Sequence, residues 1–337
     1  MPATPTPLVT AAAEVDDREA WDDLVLGLGG HPLQLWGWGE VKAEGSWTPR
    51  RIVVRDGDGA PIGAAQVLVR HLPWPMRASS YVPRGPVVAG HADRDAVVAA
   101  VVAWTRRHVG GVGISMEPGW PAGAGLPAVP GLRRGPVQVL VPVTLVLDLT
   151  RSDEELLSAM SKTTRKQVRR AERAGVTYRE VEDGEVEACL SIYHQVAARA
   201  GFPLHTDAYY RSVREHLGEH SPVVAAFVDD EPVAFLWFAV SARTSFELYG
   251  GATDAGQEVH ANFGLKWAAI AAMRSRGVTE YDMNGLLNDG VSQFKRSFAD
   301  HEDVFVGPLD VPFSPAYHLL VRGVPVAKRL LRTLRRR

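Results

Sequence analysis

The sequence predicts an α/β (α+β) fold in which two similar domains follow one another, each with a mixed central sheet flanked by helices. At 337 residues, the chain is longer than a single ordinary core usually serves. Hydrophobic residues make up 46% of it and charged residues 23%, which is typical of a globular protein. One order of elements (helix, helix, hairpin, strand, helix, strand) occurs twice along the chain, which indicates a duplicated domain.

The first copy starts at residue 16, and no element is predicted before it. Apolar residues at helical spacing predict helices, and alternating apolar runs around a Gly-containing turn predict a hairpin. The resulting elements are helices over 16–28, 33–42 and 93–108, the hairpin 51–69, and strands 78–87 and 113–118. A Pro- and Gly-rich loop over 121–136 follows.

The second copy follows a strand over 143–149. Ser152 with Glu155 predicts a capping box at the start of a helix, and Gly175 ends the basic helix that comes next. The copy itself comprises helices 185–200, 206–217 and 260–276, the hairpin 223–240, and strands 246–251 and 281–283. We therefore predict domains over 1–145 and 146–312, with a basic C-terminal helix over 313–337 that packs back on the first domain.

Composition and charge exclude several classes of protein. A formal net charge of −2 gives no overall attraction to nucleic acid or membranes, so such contacts require local patches. The single cysteine, Cys189, excludes a disulfide framework and a multi-cysteine metal site. The N-terminus lacks the features of a signal peptide, and no apolar run reaches about 18 residues. We expect a soluble cytoplasmic protein without a metal.

The stretch over 281–298 carries the strongest candidate for chemistry. A short strand breaks at Asn284-Gly285, and Lys295 then lies between Phe294 and Phe298, which are four residues apart and should pack on one side. Strand ends beside Gly-containing turns are common ligand sites in α/β sheets, and an ammonium there can stabilise an oxyanion or hold a phosphate. The alternative is that Lys295 is an ordinary solvated lysine.

A stripe of basic residues occupies one helix of the second half. Its members recur at steps of three and four residues: Lys162, Arg165, Lys166, Arg169, Arg170 and Arg173. The only acidic residue between 162 and 174 is Glu172. The stripe is therefore locally unneutralised, which favours phosphate binding over a merely solvated face. The basic residues between 328 and 337 could dock tRNA or the inner membrane surface, or serve only as a solubilising tail.

The order of elements is that of the N-acetyltransferase (GNAT) superfamily, in which a splayed central strand admits the acyl donor. An acetyl-CoA enzyme of that class would carry a Gln/Arg-x-x-Gly-x-Gly/Ala loop before the helix that follows the fourth strand. The corresponding residues, 91–94 and 257–264, do not match. Without that run of backbone N–H groups a pyrophosphate has no cradle, so acetyl-CoA is not the expected donor.

Within this organisation the sequence resembles the Fem family (FemA, FemB and FemX) of peptidoglycan bridge aminoacyltransferases. The resemblance rests on motifs spread over nearly the whole chain, at residues 35–42, 81–86, 162–176, 248–252, 281–285 and 294–298. It implies two tandem GNAT-like domains and transfer of glycine, alanine or serine from aminoacyl-tRNA to the peptide stem of a UDP-linked or lipid-linked muropeptide precursor. It implies no cofactor beyond aminoacyl-tRNA as the acyl donor. The long helical arm of some members is missing, which resembles the arm-less FemX-like type.

The resemblance also implies roles for individual residues. Lys42, Tyr209 and Tyr249 fall where the family contacts the precursor, and Lys295 where it holds the tRNA acceptor end or the reacting ester. His205 stands where a precursor-binding arginine is expected, and neutral histidine cannot replace a guanidinium fork on phosphate.

Two carboxylates end corresponding strands in the two halves. Asp282 and Glu117 are candidates for accepting a proton or positioning the amine, and turn-capping is the alternative for each. Two rival functions also stay open: the same transfer onto a peptide or nucleoside natural product, and a non-catalytic RNA- or membrane-binding protein.

Overall fold

The computed structural model describes residues 11–287 and 289–323 of the chain. They form two compact units, the first built from residues before 143 and after 304, the second from Val143–Val304. The chain thus returns to the first unit at Phe305, whereas the sequence pattern places the boundary after residue 312. Residues 328–337, which carry most of the basic tail, lie outside the described residues. Among the described residues, no helix is long and apolar enough to traverse a lipid bilayer.

The first unit contains the elements up to residue 134. They are, in chain order, β1 (Ala11–Glu14), α1 (Arg18–Gly27), α2 (Trp36–Ala43), β2 (Thr48–Arg55), β3 (Pro61–His71), β4 (Ala78–Pro83), β5 (Val87–Val88), α3 (Arg94–His108), β6 (Gly113–Glu117) and β7 (Arg133–Arg134).

The second unit contains the elements between residues 143 and 304. They are β8 (Val143–Thr144), β9 (Val146–Asp148), α4 (Asp153–Ala159), α5 (Lys162–Arg173), β10 (Thr177–Glu180), α6 (Val186–Ala200), α7 (Asp207–Leu217), β11 (Val223–Val228), β12 (Glu231–Val240), β13 (Thr244–Ala252), α8 (Asp254–Glu258), α9 (Ala261–Ser275), β14 (Glu280–Asp282), α10 (Gly290–Arg296) and β15 (Asp303–Val304). The chain then adds β16 (Leu309–Pro312) to the first unit, and residues 316–323 are helical.

The two large sheets have matching strand orders. The first runs β1-β2-β3-β4-β6-β16-β7, with β5 beside β3, and the second runs β10-β11-β12-β13-β14-β9. In each sheet one parallel pair, β4 with β6 or β13 with β14, follows two antiparallel hairpin strands. The predicted fold of two tandem GNAT-like domains with mixed, helix-flanked sheets is therefore confirmed.

In each sheet, a strand from outside the repeated segment lies beside the second strand of the parallel pair. In the second sheet β9, which precedes the repeat, pairs antiparallel with β14. In the first sheet β16, which follows the whole second unit, pairs antiparallel with β6. The strand predicted over 143–149 is thus two short strands, and β1 forms a strand where none was predicted.

Each helix that crosses its sheet buries an apolar face. Helix α3 begins at Asp93, whose side chain accepts hydrogen bonds from two backbone N–H groups, and buries Val97, Val98 and Val101. Helix α9 buries Leu265, Ala269 and Ile270 in the same way. Burying one such aliphatic side chain contributes about 1.5–3 kcal/mol, so these faces hold the helices on the sheets.

The predicted capping box is confirmed at the start of α4. The Ser152 hydroxyl accepts from the Glu155 N–H, and the Glu155 carboxylate accepts from the Ser152 N–H. The basic helix α5 ends just before Gly175, which adopts a left-handed φ of 74° that a Cβ would disfavour. The start signal of α4 and the stop signal of α5 therefore act as the sequence pattern indicates.

Candidate active site

The second sheet opens at the middle of β13. Parallel pairing between β13 and β14 ends at Phe246 and Asp282. On the other side, β12 pairs Trp237 with Tyr249 and Phe238 with Glu247, so Leu248 is an extra, bulged residue. A bulge bends its strand and leaves local backbone groups to find other partners. Glu247 is therefore the first residue of β13 beyond the part that pairs with β14.

A buried charge network lies at this opening. The Glu247 carboxylate forms an ion pair with the Lys266 ammonium and accepts a hydrogen bond from the Tyr281 hydroxyl at 2.6 Å. The exposed fractions are 6% for Glu247, 1% for Lys266 and 0% for Tyr281. Burial lowers the pKa of Lys266, the Glu247 charge opposes that shift, and the Lys295 charge adds to it. Burial, and then Glu247, raise the pKa of Tyr281 well above its ordinary value.

Sequence reasoning missed Glu247 and Lys266. Lysine is rarely buried, so α9 was interpreted only as a repeat of α3. A signal did exist: Lys266 directly follows Leu265 and precedes Ala269 and Ile270 on a helix whose pattern is otherwise apolar.

Lys295 lies against the turn that follows β14. Asn284 and Gly285 both adopt left-handed backbone conformations, with φ of 52° and 60°. The Lys295 ammonium donates to the Asn284 carbonyl and, at 3.3 Å, to the Gly285 carbonyl. The Asn284 side-chain amide donates to the Glu247 carbonyl at 2.8 Å, replacing strand pairing where the sheet opens. One residue therefore links the buried network to the half-buried Lys295.

The two phenylalanines that flank Lys295 pack on one side, as predicted. Their ring centroids lie 5.1 Å apart, and Phe263 of α9 contacts both rings, at 4.9 Å from Phe294 and 6.1 Å from Phe298. Helix α10 is thereby anchored on α9, which limits the positions that Lys295 can take.

The two strand-end carboxylates are buried and accept hydrogen bonds from nearby turns. Asp282 Oδ1 accepts from the Thr144 hydroxyl at 2.5 Å and from the Asn284 N–H at 2.8 Å. Glu117, in the first unit, accepts from the Tyr81 hydroxyl at 2.5 Å and from two backbone N–H groups at residues 139 and 140. These contacts fit the turn-capping alternative for both residues.

The residues that the resemblance assigns to the precursor fall in both units. In the second unit, His205, which precedes α7, stacks on Tyr209 of that helix with ring centroids 4.1 Å apart. Tyr249 lies edge-on to Tyr210 at 4.9 Å, and burial and the neighbouring Tyr209 raise its pKa well above the ordinary value. In the first unit, the Lys42 ammonium lies 4.1 Å from the Trp38 ring centroid.

The basic stripe on α5 divides into two parts. Arg165 is half-buried and donates to the Leu157, Ser158 and Met160 carbonyls, so it caps the C-terminal end of α4. The other members are exposed: Lys162, Lys166, Arg169, Arg170 and Arg173. Val168 and Ala171 on the opposite face are buried, which turns the exposed cations outward.

Cys189 has the environment of a core residue. It is buried on α6, and burial raises the pKa of its thiol to about 12. A thiol that stays protonated at neutral pH is a poor nucleophile, so we assign Cys189 to the core and not to the chemistry of the site.

Comparison with known proteins agrees with the motifs. The sequence model of the FemAB family matches residues 135–231. No curated protein matches the chain in sequence. The crystal structure of FemX aligns over 93% of this chain and 100% of its own, with 18% identity and a TM-score of 0.82. L-PGS from Bacillus licheniformis aligns over 91% of this chain and 96% of its own, with 13% identity and a TM-score of 0.58. At these identities the structures show a shared fold.

Proposed function

We propose that this protein is a member of the Fem family and a tRNA-dependent aminoacyltransferase that adds glycine, alanine or serine to the peptide stem of a peptidoglycan precursor. The match to the FemAB family model supports a peptidoglycan-related acyltransferase in general. The finer proposal depends chiefly on one observation, the half-buried Lys295 ammonium held at the opening of the second sheet.

The chemistry needs few groups because the donor is already activated. The free amine of the acceptor attacks the ester carbonyl carbon of the aminoacyl-tRNA, and a C–N bond forms as the carbonyl electrons move to oxygen. The C–O bond to the terminal ribose then breaks, the ribose hydroxyl takes up a proton, and the attacking nitrogen loses one. An enzyme accelerates this sequence by proximity and by stabilising the oxyanion, for which we assign the Lys295 ammonium.

The remaining predicted groups have binding roles in this proposal. We assign the five exposed cations of α5 to the phosphates of tRNA, because they share one face and Glu172 is the only carboxylate of the helix. Lys42, Tyr209 and Tyr249 are assigned to the precursor. Aminoacyl-tRNA serves as the acyl donor with no further cofactor. Because aminoacyl-tRNA is found in the cytoplasm, we assign the reaction to that compartment.

The helices of the second unit agree with an arm-less, FemX-like type. The longest of them among the described residues, α6 and α9, have 15 residues each. A long helical hairpin would require considerably more, so the acceptor we propose is the UDP-linked or lipid-linked precursor that the resemblance implies.

His205 favours a second candidate acceptor. It stands where the resemblance expects an arginine, and it stacks on Tyr209. A stacked imidazole suits a ring or a peptide plane better than it suits a diphosphate. This preference would fit an acceptor that is a peptide or nucleoside natural product.

A labelling experiment tests the proposal. The purified protein is incubated with tRNAs charged individually with radiolabelled glycine, alanine or serine, together with a UDP-linked muropeptide, a lipid-linked muropeptide or a small peptide. Label in either muropeptide supports the first proposal, and label only in the small peptide supports the second. Retention of tRNA without any transfer would contradict both and leave an RNA-binding protein.

A further inference from the structure

The ion pair between Glu247 and Lys266 lies where the second sheet opens, and its lysine has no charged equivalent among the buried residues of the corresponding helix in the first unit. Helix α3 buries valines, a tryptophan and a threonine but no charged residue, whereas the corresponding helix α9 buries Lys266. Pairing of β12 with β13 also shifts its register beside Glu247. The buried charges thus accompany the bulge and the opening.

Stability alone is a poor explanation for such a pair. Two charges removed from water lose their hydration, and replacing a buried ion pair by apolar residues of similar size is often neutral or stabilising. The surroundings of Lys266 are already largely apolar, with Phe294 and Tyr281 both within 6 Å of its ammonium measured to ring centroids. An apolar side chain would fit this environment.

The contacts lead from the pair to Lys295 in two steps. The residue whose carboxylate binds Lys266 also presents its carbonyl to the Asn284 side-chain amide at 2.8 Å. Asn284 then presents its own carbonyl to the Lys295 ammonium. The charge of Lys295 also acts on Lys266, since it contributes to lowering the pKa of that buried group.

We propose that Glu247 and Lys266 are positioning residues, which fix the open end of β13 and so set the place of the Lys295 ammonium. Only the expected effect on turnover rests on the proposed function. Its structural content, that the pair determines the environment of Lys295, stands independently of which reaction the protein performs.

The test replaces the whole network by apolar groups of similar size. The triple variant Glu247→Met, Lys266→Met, Tyr281→Phe leaves no member of the network buried without its partner, so it is expected to fold with a urea midpoint close to that of the wild type. The control is Arg243→Gln with Glu280→Gln, which removes an exposed ion pair of 2.6 Å between the start of β13 and β14, at the paired end of the same two strands.

Two readouts are taken on the full chain. Competitive acetylation by acetic anhydride, quantified by mass spectrometry, gives the labelling rate of Lys295 relative to the exposed Lys162. We expect this ratio to change at least threefold in the triple variant and to stay unchanged in the control. In the transfer assay, we expect kcat to fall at least tenfold with little change in KM, because a displaced ammonium would no longer meet the developing oxyanion.

The outcomes separate this inference from the proposed function. A folded triple variant that labels Lys295 at the wild-type ratio overturns the inference. A changed ratio with unchanged kcat, or with no transfer even by the wild type, supports the positioning role and counts against the proposed function. Should the triple variant not fold, Glu247→Gln keeps an acceptor for both partners, removes only the charge, and is judged by the same ratio.

Discussion

The ends of the two parallel strand pairs differ although the units share one strand order. In the first unit, β4 and β6 stay paired up to Pro83 and Glu117, and the Glu117 carboxylate accepts from a phenol and two backbone N–H groups. In the second unit, pairing stops at Phe246 and Asp282, and the next residue joins a buried ion pair. We call the first end closed, because hydrogen bonds to the Glu117 carboxylate follow its pairing, and the second open, because the Glu247–Lys266 ion pair and the Lys295 ammonium follow its pairing.

This difference shows how a duplicated scaffold can serve two purposes. At the closed end, the Glu117 carboxylate accepts three hydrogen bonds from groups of its own unit. An opened end leaves an ammonium, that of Lys295, half-buried beside a turn whose carbonyls it contacts. The comparison therefore predicts that changes at the second end affect turnover, whereas equivalent changes at the first affect stability.

The largest effect is expected from removing the ammonium at the open end. Lys295→Ala should lower kcat by about 10²–10³, the usual loss when one oxyanion-stabilising donor is deleted. The neighbouring Arg296 pairs with Glu302 instead, so Arg296→Ala is the matched control and should stay within about twofold of the wild type. Steady-state transfer kinetics, with circular dichroism to verify folding, measure both. Normal turnover by Lys295→Ala would remove the proposed site.

The closed end should respond in stability. In Glu117→Gln, the new amide donor would face one of the backbone N–H groups at residues 139 and 140, which costs about 1–3 kcal/mol for the polar group left unpaired. Asp282→Asn should cost less, because the oxygen of the new amide can still accept from the Thr144 hydroxyl and from the Asn284 N–H. Urea unfolding followed by tryptophan fluorescence measures both costs. An equal loss from the two variants would contradict the contrast.

The phenols that bind carboxylates in the two units offer a finer comparison. Tyr81→Phe and Tyr281→Phe each delete one hydrogen bond, of 2.5 Å to Glu117 and 2.6 Å to Glu247, and should each cost about 1 kcal/mol of stability. Only Tyr281→Phe should also lower kcat, by a few-fold, because its partner carboxylate adjoins the opening. Paired unfolding and kinetic measurements decide this, and an equal effect on kcat would remove the functional asymmetry.

The smallest effect concerns the basic helix of the second unit. Arg169→Ala should weaken tRNA binding modestly and reduce the salt slope of log K by about one, because one phosphate contact is lost. Arg165→Ala should leave that slope unchanged and lower stability, because its guanidinium caps α4. Filter binding at several salt concentrations measures the slope. A slope that changes in Arg165→Ala and not in Arg169→Ala would reverse the assignment.

Much of the fold was predictable because its signals are local. Apolar spacing along 93–108 and 260–276 located α3 and α9, and Ser152 with Glu155 located the start of α4. The same holds for part of the site, since residues four apart on a helix must share a face, as Phe294 and Phe298 do. Arg165 shows the limit: its spacing places it in the basic stripe, but its guanidinium contacts α4.

By itself, the sequence determined the order of elements, their repetition and the motif around Lys295. Only the tertiary structure decided that β9 joins the second sheet and β16 joins the first, each from outside the repeat, and that Lys266 lies buried against Glu247. The reason is physical: periodicity reports contacts between residues two to four positions apart. Strand pairing and burial of a charge depend on partners far along the chain, which no local pattern specifies.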